Sequence, residues 1–377
     1  MSGTSVDGIS AALVRITGSG LSTKIKFLGG INHPFPKEMR KSILSIAEPG
    51  GGNTADICRM NFFISLAYIQ AVKKLCQKLN LPLSKINLIG SHGQTIHHLP
   101  QKEKLFGFTS GSTLQIGDIS VLSKQLGITT VGDFRTADVA LGGEGAPFVP
   151  YFDYTVLSSD KTDRALLNIG GIANITALKK GAKPDDVIAF DTGPGNMMID
   201  SLMNRFYGRK YDRDGKVALS GAVNKRLLTY LKETDSYPDQ PPPKSTGREF
   251  YSKEFVDLII KNSTGIPQKD IIATVTYYTA WSVFFAYTKY IRRKVTISEL
   301  FLSGGGAKNK AIVKYMKSLF GGETKVANVT SLGVDSDYKE AICFAVLANE
   351  TISGNCANLP SVTGASSPTI LGKISLP

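Results

Sequence analysis

The chain has 377 residues, 42% apolar and 20% charged, which is enough for two packed domains and unlike the composition of a disordered protein. An excess of 44 Lys and Arg over 31 Asp and Glu gives a net charge of +13, suited to anionic partners, yet the basic residues are dispersed. The densest short run is Arg292-Arg293-Lys294, and no stripe of basic and aromatic residues accompanies it, so no nucleic acid is expected as a partner. Cys58, Cys76, Cys343 and Cys356 have neither CxxC nor metal-like spacing and read as reduced thiols.

In chain order, the first feature is the glycine turn Gly3-Thr4-Ser5-Val6-Asp7-Gly8, which runs into the apolar strand Ile9-Ser10-Ala11-Ala12-Leu13-Val14. A phosphate-binding hairpin of this kind needs an incoming strand, so a few apolar residues are expected upstream of Met1. No signal peptide pattern opens the sequence. Residues 24–35 read as a further strand, and 54–79 as a long amphipathic helix carrying Ile57, Met60, Phe63, Ile64, Ala67, Ile69 and Leu75 near helical spacing. A strand at 86–89 delivers Ser91-His92-Gly93-Gln94-Thr95, and His97 and His98 beyond it read as solvated. Strands at 113–116 and 128–131 bracket a short helix. The second of them opens onto Gly132-Asp133-Phe134-Arg135 and the loop Gly142-Gly143-Glu144-Gly145-Ala146-Pro147, and loops at strand ends are where sites usually sit.

The second half restarts with a strand at 165–169, a second glycine turn in Asn168-Ile169-Gly170-Gly171-Ile172-Ala173-Asn174, and a strand at 175–178. A strand at 187–190 reaches Asp191-Thr192-Gly193-Pro194-Gly195-Asn196, with a helix expected from about Met197 to Tyr207. Residues 238–248, with three consecutive prolines, read as a surface loop. Residues 271–288 carry no charge, but their Thr, Ser and Tyr favour a buried core helix over a membrane span. A strand at 299–302, Gly304-Gly305-Gly306, a helix from about Asn309 and a last helix at about 338–352 complete the alternation of an α/β chain. The expected location is the cytoplasm, with no membrane partner.

One glycine turn is weak evidence of phosphate binding. Gly3 to Gly8, Gly170-Gly171 and Gly304 to Gly306, however, occur in the order of two phosphate loops and a nucleoside-binding loop. No glycine turn leads into Lys-Ser or Lys-Thr, and no GxGxxG opens the first strand–helix unit, which disfavours P-loop and Rossmann readings. Together the residues resemble the superfamily of actin, hexokinase and the chaperone ATPases, and more closely the anhydro-N-acetylmuramic acid kinase family, over nearly the whole chain. The motifs carrying this resemblance are residues 1–8, 90–96, 132–135 with Asp138, 142–147, 167–174, 190–196, Lys244-Ser245-Thr246-Gly247-Arg248 and 304–306. Glu144 departs from the Gln usual in that family.

The resemblance implies two actin-like ATPase domains of related topology flanking a nucleotide cleft. The first is expected at 1–134, with about 358–377 packing back on it, and the second at 135–377. It also implies an ATP- and Mg²⁺-dependent kinase that hydrolyses the anhydro bond of 1,6-anhydro-N-acetylmuramic acid while phosphorylating the released oxygen, in recycling of peptidoglycan amino sugars, acting as a homodimer. Asp191 matches the family's catalytic aspartate, expected to take a proton from water. As a helix N-cap it lies too far from Met197, where Asn196 serves better. Glu340 matches a glutamate at the sugar. Gly3, Thr4, Ser5, Asp7 and Gly8, with Asn168, Gly170, Gly171, Asn174, Gly304, Gly305 and Gly306, are the nucleotide and phosphate candidates, Asp7 also a candidate for Mg²⁺ through water. His92, Gln94 and Thr95 are candidates for the sugar hydroxyls or acetamido group, and Arg135 for bidentate pairing with the lactyl carboxylate. Two rivals compete on sequence: an ordinary sugar or carboxylate kinase, and a nucleotide-switched binding protein.

Overall fold

A computed structural model describes residues 1–3, 6–48, 50–247 and 250–377. The opening stretch runs β1 (Ile9–Thr17), β2 (Lys24–His33), α1 (Lys37–Ala47), α2 (Thr54–Lys78), β3 (Ile89–Ser91), β4 (Gln94–Leu105), β5 (Phe108–Ile116), α3 (Ile119–Leu126), β6 (Thr130–Gly132), α4 (Phe134–Ala140) and α5 (Val149–Leu157). The middle runs β7 (Arg164–Ile169), β8 (Ile172–Leu178), β9 (Ile188–Pro194), α6 (Met197–Tyr207), α7 (Lys216–Ser220), α8 (Lys225–Thr234), α9 (Lys253–Lys261), α10 (Gln268–Ala286), β10 (Glu299–Ser303), α11 (Lys310–Phe320) and β11 (Lys325–Asn328). The chain closes with α12 (Lys339–Ile352), α13 (Pro360–Thr363) and β12 (Lys373–Ser375). The protein is α/β, and among the described residues no helix is long and apolar enough to cross a membrane.

Contacts divide the chain into Met1–Leu157 with Gly333–Pro377, and Ser158–Leu332. The boundary therefore lies after Leu157 rather than after residue 134, and residues 333–357 belong to the first unit as well. Packing explains this correction. Phe148 and Phe152 are buried, and Asp153 on α5 is ion-paired with Lys339 of α12 at 2.7 Å, both side chains almost wholly out of solvent. α12 in turn lies on β1 and β3.

In the first unit β1 pairs antiparallel with β2, and β6 pairs parallel with β3 and antiparallel with β12, the strand of the C-terminal segment. β4 and β5 form a two-stranded hairpin. α2 begins where the Asn53 side chain accepts the Asp56 N–H at 3.0 Å, and it buries Met60, Ile64, Ala67, Tyr68, Ala71 and Leu75, one face at helical spacing.

The second unit is built on one five-stranded sheet in the order β11-β10-β7-β8-β9, in which β10 is parallel to both neighbours and β8 is antiparallel to both β7 and β9. Alternation along these strands puts Leu167, Ile169, Ala173 and Ile175 into the core with Met198 of α6 and Ile272, Val275 and Val283 of α10. α10 is apolar on nearly all sides because it is a core helix.

The Asp153–Lys339 pair fixes the first turn of α12, where Glu340 sits. Removing one member of such a buried pair leaves an uncompensated charge, so Asp153→Ala is expected to lower unfolding free energy by about 3–5 kcal/mol in urea denaturation at neutral pH. A loss below about 1 kcal/mol would show that the pair does not anchor the helix.

Candidate functional site

Four polar residues of the second unit lie in one row across the sheet. Ser303 pairs with Asn168, Asn168 with Asn174, and Asn174 with Asp191, so directly opposed side chains share a face. Asp191 does not follow a strand as the sequence suggests: β9 continues through it to Pro194, and a bulge at Ala173/Asn174 re-aims the pairing there. Asp191 is half-buried; its Oδ2 accepts the Thr246 N–H at 2.9 Å, and its own N–H donates to the Lys244 carbonyl. Tyr237 donates its hydroxyl to the Asp191 carbonyl at 3.2 Å.

The second glycine turn, between β7 and β8, is held from the far side of the sheet end. Gly195 and Met197 donate backbone N–H groups to Gly171, and Asn196 donates to Gly170. Asn196 occupies the N-cap position of α6, but its amide does not cap; it donates to the Ile169 carbonyl at 3.1 Å and so ties the helix start to the turn. Gly304 adopts φ +77°, and a Cβ there would lie 2.6 Å from Asn168 Oδ1, so only glycine lets the third turn close against the second. Gly306 packs against Ile169 in the same way. Gly170 and Gly305, by contrast, have no atom within about 3.5 Å of a hypothetical Cβ, which leaves room beside the chain there.

The other candidates belong to the first unit. Thr4, Ser5 and Arg248 lie outside the described residues. Gly3 accepts the Gln94 Nε2–H at 3.2 Å and the Val6 N–H, which closes the first turn. Gly8 abuts the end of β2, where a Cβ would meet the His33 carbonyl at 2.8 Å. Asp7 extends into solvent and faces Arg40 at 3.6 Å. Gln94 is fully buried, and its Oε1 has no hydrogen-bond partner among the described residues. Thr95 is half-buried in β4. His97 and His98 are also half-buried rather than solvated, because β4 carries them alongside β5; His98 Nδ1 meets Thr113 Oγ1 at 2.9 Å.

His92 is buried, with both ring nitrogens engaged. Nδ1 donates to the Gly93 carbonyl at 2.9 Å, and Nε2 accepts from Arg135 Nη2 at 2.9 Å, which fixes the neutral tautomer. Burial, reinforced by the Arg135 charge, pushes the His92 pKa down to about 3. His92 thus orients Arg135, and a bond from its ring to a sugar would cost one of these contacts. Arg135 donates through Nη1 to the Gly145 carbonyl at 2.7 Å and is half-buried; burial lowers its pKa to about 10, so it stays cationic at neutral pH. Gly145 is positioned by Asp138, which is wholly buried and accepts from the Gly145 N–H, Asn358 and Thr363, each at 2.8 Å. Glu144 leaves its side chain exposed while its N–H donates to Thr363. Glu340 keeps a solvent-open surface although protein crowds its carboxyl; that desolvation raises its pKa, against the lowering pull of Arg135 and Lys339.

Sequence reasoning missed the grip of Lys244 and Thr246 on Asp191, and the tie from Asn358 and Thr363 to Asp138. The Lys244–Arg248 motif was the available signal for the first; nothing local marks the second.

An α/β protein with glycine turns backed by hydrogen-bonded strands, a strand-borne aspartate and an oriented arginine has the equipment of a phosphoryl-transfer enzyme. The whole chain, residues 1–377, matches the family described as Anhydro-N-acetylmuramic acid kinase. It is 45% identical to the anhydro-N-acetylmuramic acid kinase of Caldanaerobacter subterraneus subsp. tengcongensis over 100% of this chain and 96% of that one. Those of Salinibacter ruber and Francisella tularensis subsp. novicida are each 42% identical, covering 100% and 99% of this chain and 95% and 97% of theirs. A solved structure titled as the activator of the 2-hydroxyisocaproyl-CoA dehydratase from Clostridium difficile with bound ADPNP overlays at a TM-score of 0.42 and 12% identity, covering 92% of this chain and 96% of that one, a likeness too loose to bear on function. The chain belongs to the anhydro-N-acetylmuramic acid kinase family. It is accordingly a kinase of amino-sugar metabolism.

His92 binds a proton in the unfolded chain below about pH 6.5 but not in the folded one until about pH 3. Its contribution therefore makes stability fall as pH drops through that window. In an NMR titration the His92 ring is expected to stay neutral from pH 5 to pH 8; a midpoint inside that range would refute the Arg135–His92 arrangement.

Proposed function

We propose that this kinase uses ATP to phosphorylate the 6-oxygen of 1,6-anhydro-N-acetylmuramic acid while water opens the anhydro bridge. Water oxygen bonds to the anomeric carbon, the bond from that carbon to the 6-oxygen breaks, and the 6-oxygen takes the γ-phosphoryl group as ADP leaves. Asp191 accepts the water proton. The supporting observation is its setting: a half-buried carboxylate gripped by the Thr246 N–H, in one sheet row with Asn168 and Asn174. Glu340 assists at the sugar, where desolvation of its carboxyl raises its pKa above the usual carboxylate value.

Arg135, pre-oriented by His92 and Gly145, pairs with the lactyl carboxylate, and Gln94 Oε1 and Thr95 take sugar hydroxyl or amide donors. In the second unit Gly170 and Gly171 take nucleotide phosphates and Gly304 to Gly306 the nucleoside; in the first unit Gly3 and Gly8 are the phosphate candidates. The uncrowded faces of Gly170 and Gly305 fit such an approach. Among the described residues there is no group of three or more His, Cys, Asp or Glu able to hold a metal. A Mg²⁺ ion at Asp7 would take its remaining ligands from phosphate and water, and it supplies neutralisation of the phosphate charge. The reading extends to a cytoplasmic location and to a homodimer, for which exposed Phe106 and Phe108 at the tip of the β4–β5 hairpin offer apolar surface.

Incubation with ATP, Mg²⁺ and the anhydro sugar in ¹⁸O-enriched water tests the coupling, with mass spectrometry of the product and N-acetylmuramic acid 6-phosphate in the same water as exchange control. The expected product carries one phosphate and one heavy oxygen at the anomeric carbon; phosphate without label beyond exchange would refute the water step. Asp191→Asn is expected to lower kcat by about 10²- to 10⁴-fold. A loss below about threefold would remove Asp191 as the base.

A further inference from the structure

Among the described residues between the turn at Tyr237–Asp239 and α9 there is no regular element, yet Lys244 is locked in place. Its Nζ donates to the Tyr237 carbonyl at 3.1 Å and the Pro238 carbonyl at 3.0 Å. The ammonium also sits 4.7 Å from the Tyr237 ring centroid, 5.2 Å from Tyr290 and 5.6 Å from Phe190, all within cation–π range. Two walls of this cage adjoin Asp191: Phe190 precedes it in β9, and Tyr237 bonds its carbonyl. The same short segment grips Asp191 twice, through the Lys244 carbonyl and the Thr246 N–H.

We propose that Lys244 is a positioning residue for the Asp191 carboxylate, its caged ammonium anchoring the segment whose backbone holds that carboxylate in place. The proposal rests on the reading of Asp191 as the base. Without the ammonium, two carbonyls lose their donor and three rings lose the cation between them, so the segment loosens and the Thr246 N–H no longer fixes Oδ2. A carboxylate displaced by about 1 Å from its reacting partner can lose up to 100-fold in rate.

The cage also makes positioning sensitive to pH. Burial lowers the Lys244 pKa to about 8, helped by Lys289 and opposed by Asp235, Asp191 and Asp239. Asp235 ends α8 with its Oδ2 bonded by Tyr278 of α10, and Asp239 is itself paired with Lys289. As pH rises through about 8 the cation is lost and the cage loosens. Unfolding does not account for such a loss: a lysine with a lower pKa folded than unfolded adds to stability as pH rises between the two values, here about 8 and 10.5.

The test compares Lys244→Met, Lys244→Arg and Asp191→Asn by kcat, KM for each substrate, melting temperature and the pH profile from 6.5 to 9.5. Lys244→Met is expected to lower kcat by about 10- to 100-fold with KM for ATP within about twofold. Lys244→Arg, a fixed cation that still stacks on rings, is expected to recover most of kcat and to move the alkaline limb from about pH 8 to higher pH. Wild-type kcat in Lys244→Met, or an unmoved alkaline limb in Lys244→Arg, overturns the proposal, and the second arm holds even if Lys244→Met fails to fold. Asp191→Asn separates the two readings. If it is active, the base assignment falls and this proposal with it; if it is inactive while Lys244→Met is normal, only this proposal falls.

Discussion

The antiparallel register of β7, β8 and β9 governs the second unit. One pairing row sets Asn168, Asn174 and Asp191 on a common face, and the adjoining row sends Leu167, Ile175 and Phe190 the other way. A slip of one residue in β8 would exchange these faces, burying Asn174 in the core and turning Ile175 outward. The buried row with α6 and α10 behind it forbids that slip, so apolar packing on one face fixes polar geometry on the other. The turn follows from the same constraint: with the strands in register, the N–H groups of residues 195–197 meet the Gly170 and Gly171 carbonyls, and the α6 start is tied to the glycine turn.

The first unit solves a different problem, keeping a cation oriented in a partly dry setting. A neutral imidazole accepts from Arg135, a backbone carbonyl takes a second guanidinium N–H, and Asp138 holds that carbonyl's own residue from behind. Phe344 of α12 packs tilted against His92, ring centroids 4.6 Å apart, and against Phe134 at 5.4 Å, so the helix bearing Glu340 also packs the ring that orients Arg135. Neutrality at His92 matters here, because a second positive charge beside Arg135 would repel the guanidinium it is meant to hold.

Elements with strong periodicity or clear turn chemistry were legible in the sequence. α6 spans Met197–Tyr207 as expected, and α2 and α12 fall within a residue of their expected bounds. The β4–β5 hairpin was only partly visible, as the strand at 113–116, because a two-stranded ribbon exposed along most of its length carries little alternation. α5 escaped notice because it is buried on nearly every side and has no polar face to reveal a helical period. At the site, residue types and order were legible, but partners distant in sequence were not: His92 and Arg135 are 43 residues apart, and Asp191 and Thr246 are 55. Such pairings belong to the folded chain, as does the extension of β9 through Asp191.

The division of the chain also sets an order of events during synthesis. Ser158–Leu332 is continuous in sequence, with its whole sheet and the helices behind it available once Leu332 has left the ribosome. Met1–Leu157 emerges earlier but must wait, since α12, the partner of buried Asp153 and the bearer of Phe344, and β12, the partner of β6, are translated after the second unit. The later-made unit is thus able to fold first, while the earlier-made one stays incomplete until β12 arrives. A ribosome that stalls near residue 330 would release a chain with one sound half and an unmatched Asp153, a ready substrate for proteases and without Glu340.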